Sequence, residues 1–213
     1  MAARALHRRI APARRLVVMV KEPHPGRVKT RLAREIGTVP AAWWFRHQAA
    51  DLLRRIEDPR WQTILAVTPD PAGMASRVWP PHLARLPQGG GDLGRRMARA
   101  LHLPGPTLVI GSDIPDIAPR HIARAFAALA RADMVVGPAL DGGYWLIGLR
   151  RVPPPGLFAG VRWSGPHALA DTLASAAGLR IACVDALADV DSGADLRRLR
   201  RFPRPGPRAS WSA

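Results

Sequence analysis

The sequence predicts an α/β fold, and three observations predict it. Short apolar runs of strand length alternate with longer stretches of helical periodicity. The segments between them are punctuated by Gly, Pro and Asp, the residues of turns and helix starts. The first apolar run leads straight into a basic loop carrying Pro and Gly. Taken in order, Leu16–Val20 reads as a buried first strand and Lys21–Arg31 as the basic loop. A helix is expected from about Pro40 to Glu57, with Trp43, Trp44, Ala49, Leu52, Leu53 and Ile56 on its apolar face. Thr63–Val67 is a second strand, ended by Thr68-Pro-Asp-Pro71. Trp79–Pro87 is a loop or short strand, and Gln88–Asp92 a flexible turn with three glycines. Leu93–Leu101 should be helical, and Thr107–Ile110 a third strand running into Gly111-Ser-Asp-Ile-Pro115. Pro119–Arg131 is an alanine-rich helix. Asp133–Pro138 and Tyr144–Leu149 read as two strands around the turn Asp141-Gly142-Gly143. His167–Ala177 follows as helix, Arg180–Val184 as the last strand, and Asp195–Arg201 opens a closing helix.

At 213 residues the chain fits one domain, read here as residues 16–201. A basic arm at 1–15 precedes it and a flexible Pro/Arg-rich tail at 202–213 follows. No apolar run approaches the roughly 20 residues of a membrane helix. No signal-peptide pattern follows the basic start, so the expected compartment is the cytoplasm. Cys183 is the single cysteine; it sits in an apolar run and reads as a small buried hydrophobe. No disulfide within the chain and no cysteine metal site is possible.

The formal net charge is +16. Residues 1–15 hold five arginines, 197–213 hold six, and neither stretch holds an acid; setting those eleven aside leaves +5 for residues 16–196. The excess is therefore mostly terminal. Without interleaved aromatics or a reading module it does not point to sequence-specific nucleic-acid binding. The arginine bias makes the lysines informative. The chain has only two, Lys21 and Lys29, and both lie in the basic loop. A compact ammonium is wanted there in a chain that otherwise uses arginine.

Four segments carry candidate chemistry. Lys21, Arg27, Lys29 and Arg31 fall within eleven residues just past the carboxyl end of the first strand, where open α/β sheets bind ligands. They suit a di- or triphosphate, with Gly26 admitting the backbone; unliganded, the same segment is a solvated basic loop. The spacing is neither a Walker A nor a Gly-x-Gly-x-x-Gly loop. Asp113, at the end of an apolar strand, is a hard oxygen ligand suited to Mg²⁺ or Mn²⁺, or else the cap of a turn before Pro115. Asp141, Gly142 and Gly143 form either a ligand-contacting turn or a plain hairpin turn. Asp191, in Asp189-Val-Asp191, could supply a second metal carboxylate, while Ser192 and Asp195 have the spacing of a capping box. The histidines show no metal spacing, and no serine sits in a nucleophile elbow.

Together, Lys21–Ala33, Gln88–Met97, Gly111–Pro115, Gly137–Leu149, Trp163-Ser164 and Asp189–Asp191 resemble a bacterial family of GT-A-like transferases. That family is related to the 2-phospholactate and molybdenum-cofactor guanylyltransferases. The resemblance runs from Leu16 to about Leu199, with Ile114 where the family has Cys. It implies a three-layer α/β/α sandwich, a Rossmann-like nucleotide-diphospho-sugar transferase fold with a mixed, mostly parallel sheet. It further implies that Asp113 and Asp191 hold one Mg²⁺ or Mn²⁺, and that Lys21, Arg27, Lys29 and Arg31 offset phosphate charge. Gln88, Gly91, Asp92, Gly94 and Arg96 fall where relatives place base and ribose. Asp141, Gly142, Gly143 and Trp163 would face the sugar or acceptor, with Asp113, Lys29 and Asp141 as the catalytic set. The implied partners are a nucleotide or nucleotide-sugar donor and a small-molecule acceptor. Glycosyl transfer is the first reading; nucleotidyl transfer to a phosphorylated acceptor and non-catalytic nucleotide binding are the alternatives.

Overall fold

Strands that are apolar on both sides belong in the middle of a sandwich, and this is how the chain uses them. The computed structural model describes residues 14–201; the expected tail at 202–213 and the basic arm up to residue 13 lie outside the described residues. The elements are β1 (Arg15–Lys21), α1 (Thr30–Ile36), α2 (Thr38–Ile56), β2 (Gln62–Thr68), α3 (Asp70–Ala75), β3 (Ala84–Pro87) and α4 (Leu93–Leu101). They continue as β4 (Thr107–Gly111), α5 (Pro119–Leu129), β5 (Met134–Pro138), β6 (Tyr144–Leu149), α6 (Ala168–Ser175), β7 (Ile181–Cys183) and α7 (Gly193–Arg201).

Alternate strand residues feed two cores. Leu16, Val18, Val20, Leu65, Leu108 and Ile110 pack with Phe45, Leu52 and Leu53 of α2 and Ile122, Ala125 and Phe126 of α5. Val17, Ile64, Val109, Val136 and Ile147 pack on the other face with Met97, Ala100 and Leu101 of α4. The result is the expected three-layer α/β/α sandwich. The seven strands run in the order β3-β2-β1-β4-β6-β5-β7. β1 pairs in parallel with β2 and β4, β2 with β3, and β5 with β7, whereas β6 is antiparallel to both β4 and β5. The short turn at 139–143 forces that reversal, since parallel neighbours need a long crossover. The sheet is therefore mixed and mostly parallel. The chain crosses outward from β1 to β2 on one side and returns to β4 on the other, so the switch point of the sheet lies between β1 and β4.

Four details differ from the sequence reading. The basic loop ends at Lys29, because Thr30–Ile36 forms α1, a run of good helix formers stopped by Gly37 at φ 91°. Thr68-Pro-Asp-Pro71 does not merely end a strand: Pro69 stands at the N-cap of α3 and Pro71 in its first turn, where a missing N–H costs nothing. Trp43 is not on the apolar face of α2; it is 62% exposed and stacks on His47 at 4.2 Å. The buried stripe runs through Ala42, Phe45, Ala49, Leu52, Leu53 and Ile56, and one residue after Ala42 the helix has turned about 100° away. Cys183 is exposed rather than buried, standing at the end of β7, a three-residue strand at the sheet edge. No helix among the described residues is long and apolar enough to cross a membrane.

Gly148 shows how closely the antiparallel strand is packed. It pairs with Leu108 of β4 and Val135 of β5, and a Cβ there would lie 2.2 Å from Leu108 Cδ2 and 2.9 Å from Val135 Cγ1. Gly148→Ala is expected to lower stability by about 1–3 kcal/mol through overpacking. A shifted denaturation midpoint at unchanged slope would show it; an unchanged midpoint would mean the neighbouring strands can spread.

Candidate active site

Several chain segments remote in sequence converge around one open cavity of about 810 Å³ at the carboxyl edge of β1 and β4. The loop after β1 turns through hydrogen bonds from the His24 N–H to Glu22 O and from the Arg27 N–H to His24 O, with Gly26 at φ 74°. Buried Val28 pins the loop to the core. Lys29 then takes the left-handed conformation, φ 45° and ψ 48°, as the residue before α1. That conformation is uncommon for a residue with a side chain.

The Lys29 side chain is 6% exposed. Its Nζ donates to Asp113 Oδ2 at 2.8 Å and to Asp191 Oδ1 at 2.6 Å. Burial works against the ammonium, but Asp113 and Asp191 outweigh it and hold the Lys29 pKa above its ordinary value. Asp113 arrives from the end of β4 through Gly111 and Ser112, and Asp191 from the segment after β7. Arg31 Nη1 reaches Asp191 Oδ2 at 3.4 Å from the rim. Asp189 lies close by. Burial first, and then Asp191, Asp113 and Asp141, push its carboxyl up to about 6.

Asp191 is positioned from behind by the capping box expected from the sequence. Asp195 Oδ2 accepts from the Asp191 N–H at 3.2 Å, the Ser192 N–H at 3.0 Å and the Ser192 hydroxyl at 2.7 Å. The Asp195 N–H donates back to Ser192 Oγ at 3.2 Å. Asp195 is thus structural, while Asp191 faces the cavity.

Gln88 is buried on the β2–β3 side. Its Nε2 donates to Val20 O at 3.1 Å and Ala66 O at 2.8 Å, which fixes the amide with its oxygen as the remaining acceptor. Arg99 holds the glycine turn by donating to Gln88 O at 2.6 Å and to Gly90 O, and the Gly89 N–H donates to the Asp70 carboxylate. The opposite wall is aromatic. Tyr144, Trp163 and Met97 line it; the Tyr144 hydroxyl accepts from Thr172 and faces Met97 Sδ at 3.7 Å, and burial raises its pKa.

The structure brings Lys21, Arg27, Lys29, Arg31, Gln88, Arg96, Asp113, Asp141, Gly143 and Asp191 to this one cavity. Four residues assigned to it from the sequence do not line it. Asp92 caps α4, accepting from the Arg95 N–H at 2.8 Å. Gly91 packs against the stem of Arg95, and Gly94 lets Trp163 and Phe158 approach, a Cβ there meeting each within 2.9 Å. Gly142 lies against the backbone of Pro166, 2.4 Å from where its Cβ would be. Sequence reasoning left Tyr144, Ser112 and Asp189 out of the site. The Asp189-Val-Asp191 alternation was the available signal for Asp189.

A divalent cation fits this donor set. Lys29 Nζ touches one oxygen of Asp113 and one of Asp191, so a single cation near that point can reach both carboxylates. Among the described residues no group of three or more His, Cys, Asp or Glu could hold a metal. The remaining ligands would have to be phosphate or water oxygens, as is usual for Mg²⁺ in phosphate sites.

Strand order, switch point and this acid–base cluster define a Rossmann-like nucleotide-diphospho-sugar transferase fold. A family model described as "Uncharacterized protein conserved in bacteria" (DUF2064) matches residues 52–165, and the chain belongs to that family. No curated protein matches the sequence. A crystal structure from Desulfovibrio desulfuricans G20, of a protein named as a candidate nucleotide-diphospho-sugar transferase, is 30% identical with a TM-score of 0.79; the match covers 91% of this chain and 88% of that one. CMP:2-keto-3-deoxy-manno-octonic acid synthetase, solved with CTP, shares the fold at 12% identity and a TM-score of 0.55, over 89% and 97% of the two chains. So does Rv0371c of Mycobacterium tuberculosis H37Rv, solved with manganese, at 20% identity and a TM-score of 0.50, over 89% and 99%.

Asp195→Ala removes the acceptor that holds the Asp191 backbone without removing a site carboxylate. It is expected to cost about 1 kcal/mol of stability and to weaken metal binding several-fold, read by denaturation and Mn²⁺ titration. Unchanged Mn²⁺ affinity would mean Asp191 needs no such support.

Proposed function

We propose that this protein is a divalent-metal-dependent transferase that binds a nucleotide's diphosphate between the β1 loop and Asp113/Asp191, and transfers a glycosyl group from a nucleotide-sugar donor. The observation that carries this reading is the pairing of two carboxylates with a cation at the sheet's switch point, rimmed by Lys21, Arg27 and Arg31. The 30% identity to a protein named for nucleotide-diphospho-sugar transfer supports it.

The chain's own groups divide the work. Asp113 and Asp191 would hold Mg²⁺ or Mn²⁺. When bound, that ion supplies a Lewis acid for the diphosphate as negative charge develops on it. Lys21, Arg27 and Arg31 would stabilise the same charge electrostatically from the rim, with their backbone set by the loop and α1. Gln88 and Arg96, which line the cavity on that side, would face the base and ribose. The aromatic wall of Tyr144 and Trp163 gives the sugar or acceptor an apolar surface and limits water. Asp141, whose Oδ1 accepts from the Gly143 N–H at 2.9 Å, lines the same cavity and would be the group to take a proton from an attacking hydroxyl.

Nucleotidyl transfer is the second reading, and the cations on the rim favour it. Lys21, Arg27 and Arg31 beside a metal suit a triphosphate, from which pyrophosphate departs as a phosphorylated acceptor attacks the α-phosphorus. The CTP-bound structure of the same fold is consistent with that chemistry.

Both readings require metal-dependent nucleotide binding, which thermal unfolding tests directly. A panel of nucleoside di- and triphosphates and nucleotide sugars, each with and without Mn²⁺, is expected to give one base-selective, metal-dependent stabilisation. At a hundred times the dissociation constant this amounts to about 2.7 kcal/mol. Asp113→Ala should abolish the metal-dependent part. A shift strongest with a nucleotide sugar supports glycosyl transfer, one strongest with a triphosphate supports nucleotidyl transfer, and no shift with any nucleotide overturns both.

A further inference from the structure

The Asp113 and Asp191 oxygens assigned to a metal are already engaged. Lys29 Nζ bridges them at 2.8 and 2.6 Å, and its side chain is 6% exposed. Two features make this contact a built one. The backbone at Lys29 is held left-handed between Gly26 and α1, so the side chain enters the cavity floor while its neighbours Arg27 and Arg31 stay on the rim. The residue is also a lysine in a chain where all but two of the 32 basic residues are arginine. An ammonium is compact and its four-carbon stem is flexible, so it can fill the space of a small cation and also leave it. A guanidinium fork can do neither as well.

An ammonium bonded to both oxygens and a divalent ion bonded to the same oxygens would be like charges in contact. One has to move for the other to bind. A diphosphate seated against Lys21, Arg27 and Arg31 offers Lys29 a second anionic partner, with the length of its own stem to reach it. We propose that Lys29 is a resident counter-cation that keeps the Asp113/Asp191 pair closed to free divalent ions until the donor's phosphates draw it away, so that metal binding is conditional on nucleotide. This rests on the reading of Asp113 and Asp191 as the metal pair. It adds an order to the binding: metal and diphosphate enter as a coupled unit, and by linkage each raises the affinity of the other by the same factor.

Equilibrium dialysis of Mn²⁺ against the full-length chain, with no nucleotide present, tests the coupling apart from any activity. Lys29→Met and Lys29→Gln are expected to bind Mn²⁺ about tenfold or more tighter than the wild type, within the usual range for linked sites. In metal-free buffer both variants should melt lower than the wild type, and Mn²⁺ should restore them. On the wild type, saturating inorganic pyrophosphate on both sides of the membrane should raise protein-associated Mn²⁺ by a similar factor at equal free Mn²⁺. On the variants it should add little. That wild-type arm decides the matter even if neither variant folds. Equal Mn²⁺ affinity in the wild type with and without pyrophosphate, or no tightening in a folded variant, overturns the coupling while leaving the metal pair in place. Failure of the wild type to bind Mn²⁺ under any of these conditions overturns the metal pair itself, and the coupling with it.

Discussion

One buried ammonium ties together three segments that are remote in sequence. The contacts from Lys29 to Asp113 and Asp191 span 84 and 162 residues. They join the loop after β1, the end of β4 and the segment after β7 across the top of the sheet. An unpaired cation at that depth would be costly, and so would two facing carboxylates without one. The carboxylates are about one-third exposed, so the cluster sits between the limits of a weak surface pair and a fully desolvated one. Its main effect is on shape. It sets where the carboxyl edge closes and where it stays open, and the cavity is what stays open.

Rigidity is distributed unevenly around that cavity. The aromatic wall is built by close approach: Gly94 of α4 admits Trp163 and Phe158, and Gly142 admits the backbone of Pro166. Phe158 and Ser164 hold positive φ values of 74° and 64° to make the turns that bring this segment over α4. Behind the other wall Gln88 and Arg99 bind carbonyls of β1, β2 and the glycine turn. The β1 loop and the start of α1 present long, exposed cations to the cavity, Lys21, Arg27 and Arg31. The chain therefore fixes the surfaces that would select base and acceptor and leaves adjustable the groups that need only supply charge.

This asymmetry also explains how much could be read from the sequence. Strands announced themselves through apolar runs, and a carboxylate just past a strand end must lie at the ligand edge. Asp113 was legible for that reason and the Ser192–Asp195 cap from its spacing, whereas Asp191, well past the end of β7, stood out through the Asp189–Asp191 segment of the family resemblance. Glycine roles were not legible in the same way. Gly91, Gly94 and Gly142 stand in the segments that carry the family resemblance, but what each admits is a neighbour's side chain or backbone, which only the packed structure shows. The inward turn of Lys29 was equally hidden. It depends on a left-handed backbone at a residue type that gives no sign of it, and although Lys29 was expected in the catalytic set, it was expected to offset phosphate charge with the other three cations and not to bridge the aspartates. Trp43 and Cys183 misled through composition alone. An apolar residue in an apolar run is buried only if its own direction meets a neighbour.

The charge of the site runs opposite to that of the chain, and this decides what kind of ligand it suits. The sequence carries +16 overall and +5 between residues 16 and 196, yet the cavity gathers Asp113, Asp141, Asp189 and Asp191. The strain of that gathering registers at Asp189, whose carboxyl is pushed up by burial and by its three acidic neighbours. A surface built for a nucleic-acid backbone would be positive throughout, because every contact meets the same phosphate charge. Here a positive rim surrounds an acidic floor that holds a single buried ammonium. A lone anion would be attracted by the rim and repelled by the floor, and a lone metal ion would meet the reverse. A phosphate group carrying its own metal ion satisfies both at once, with its negative oxygens toward Lys21, Arg27 and Arg31 and its cation toward the aspartates.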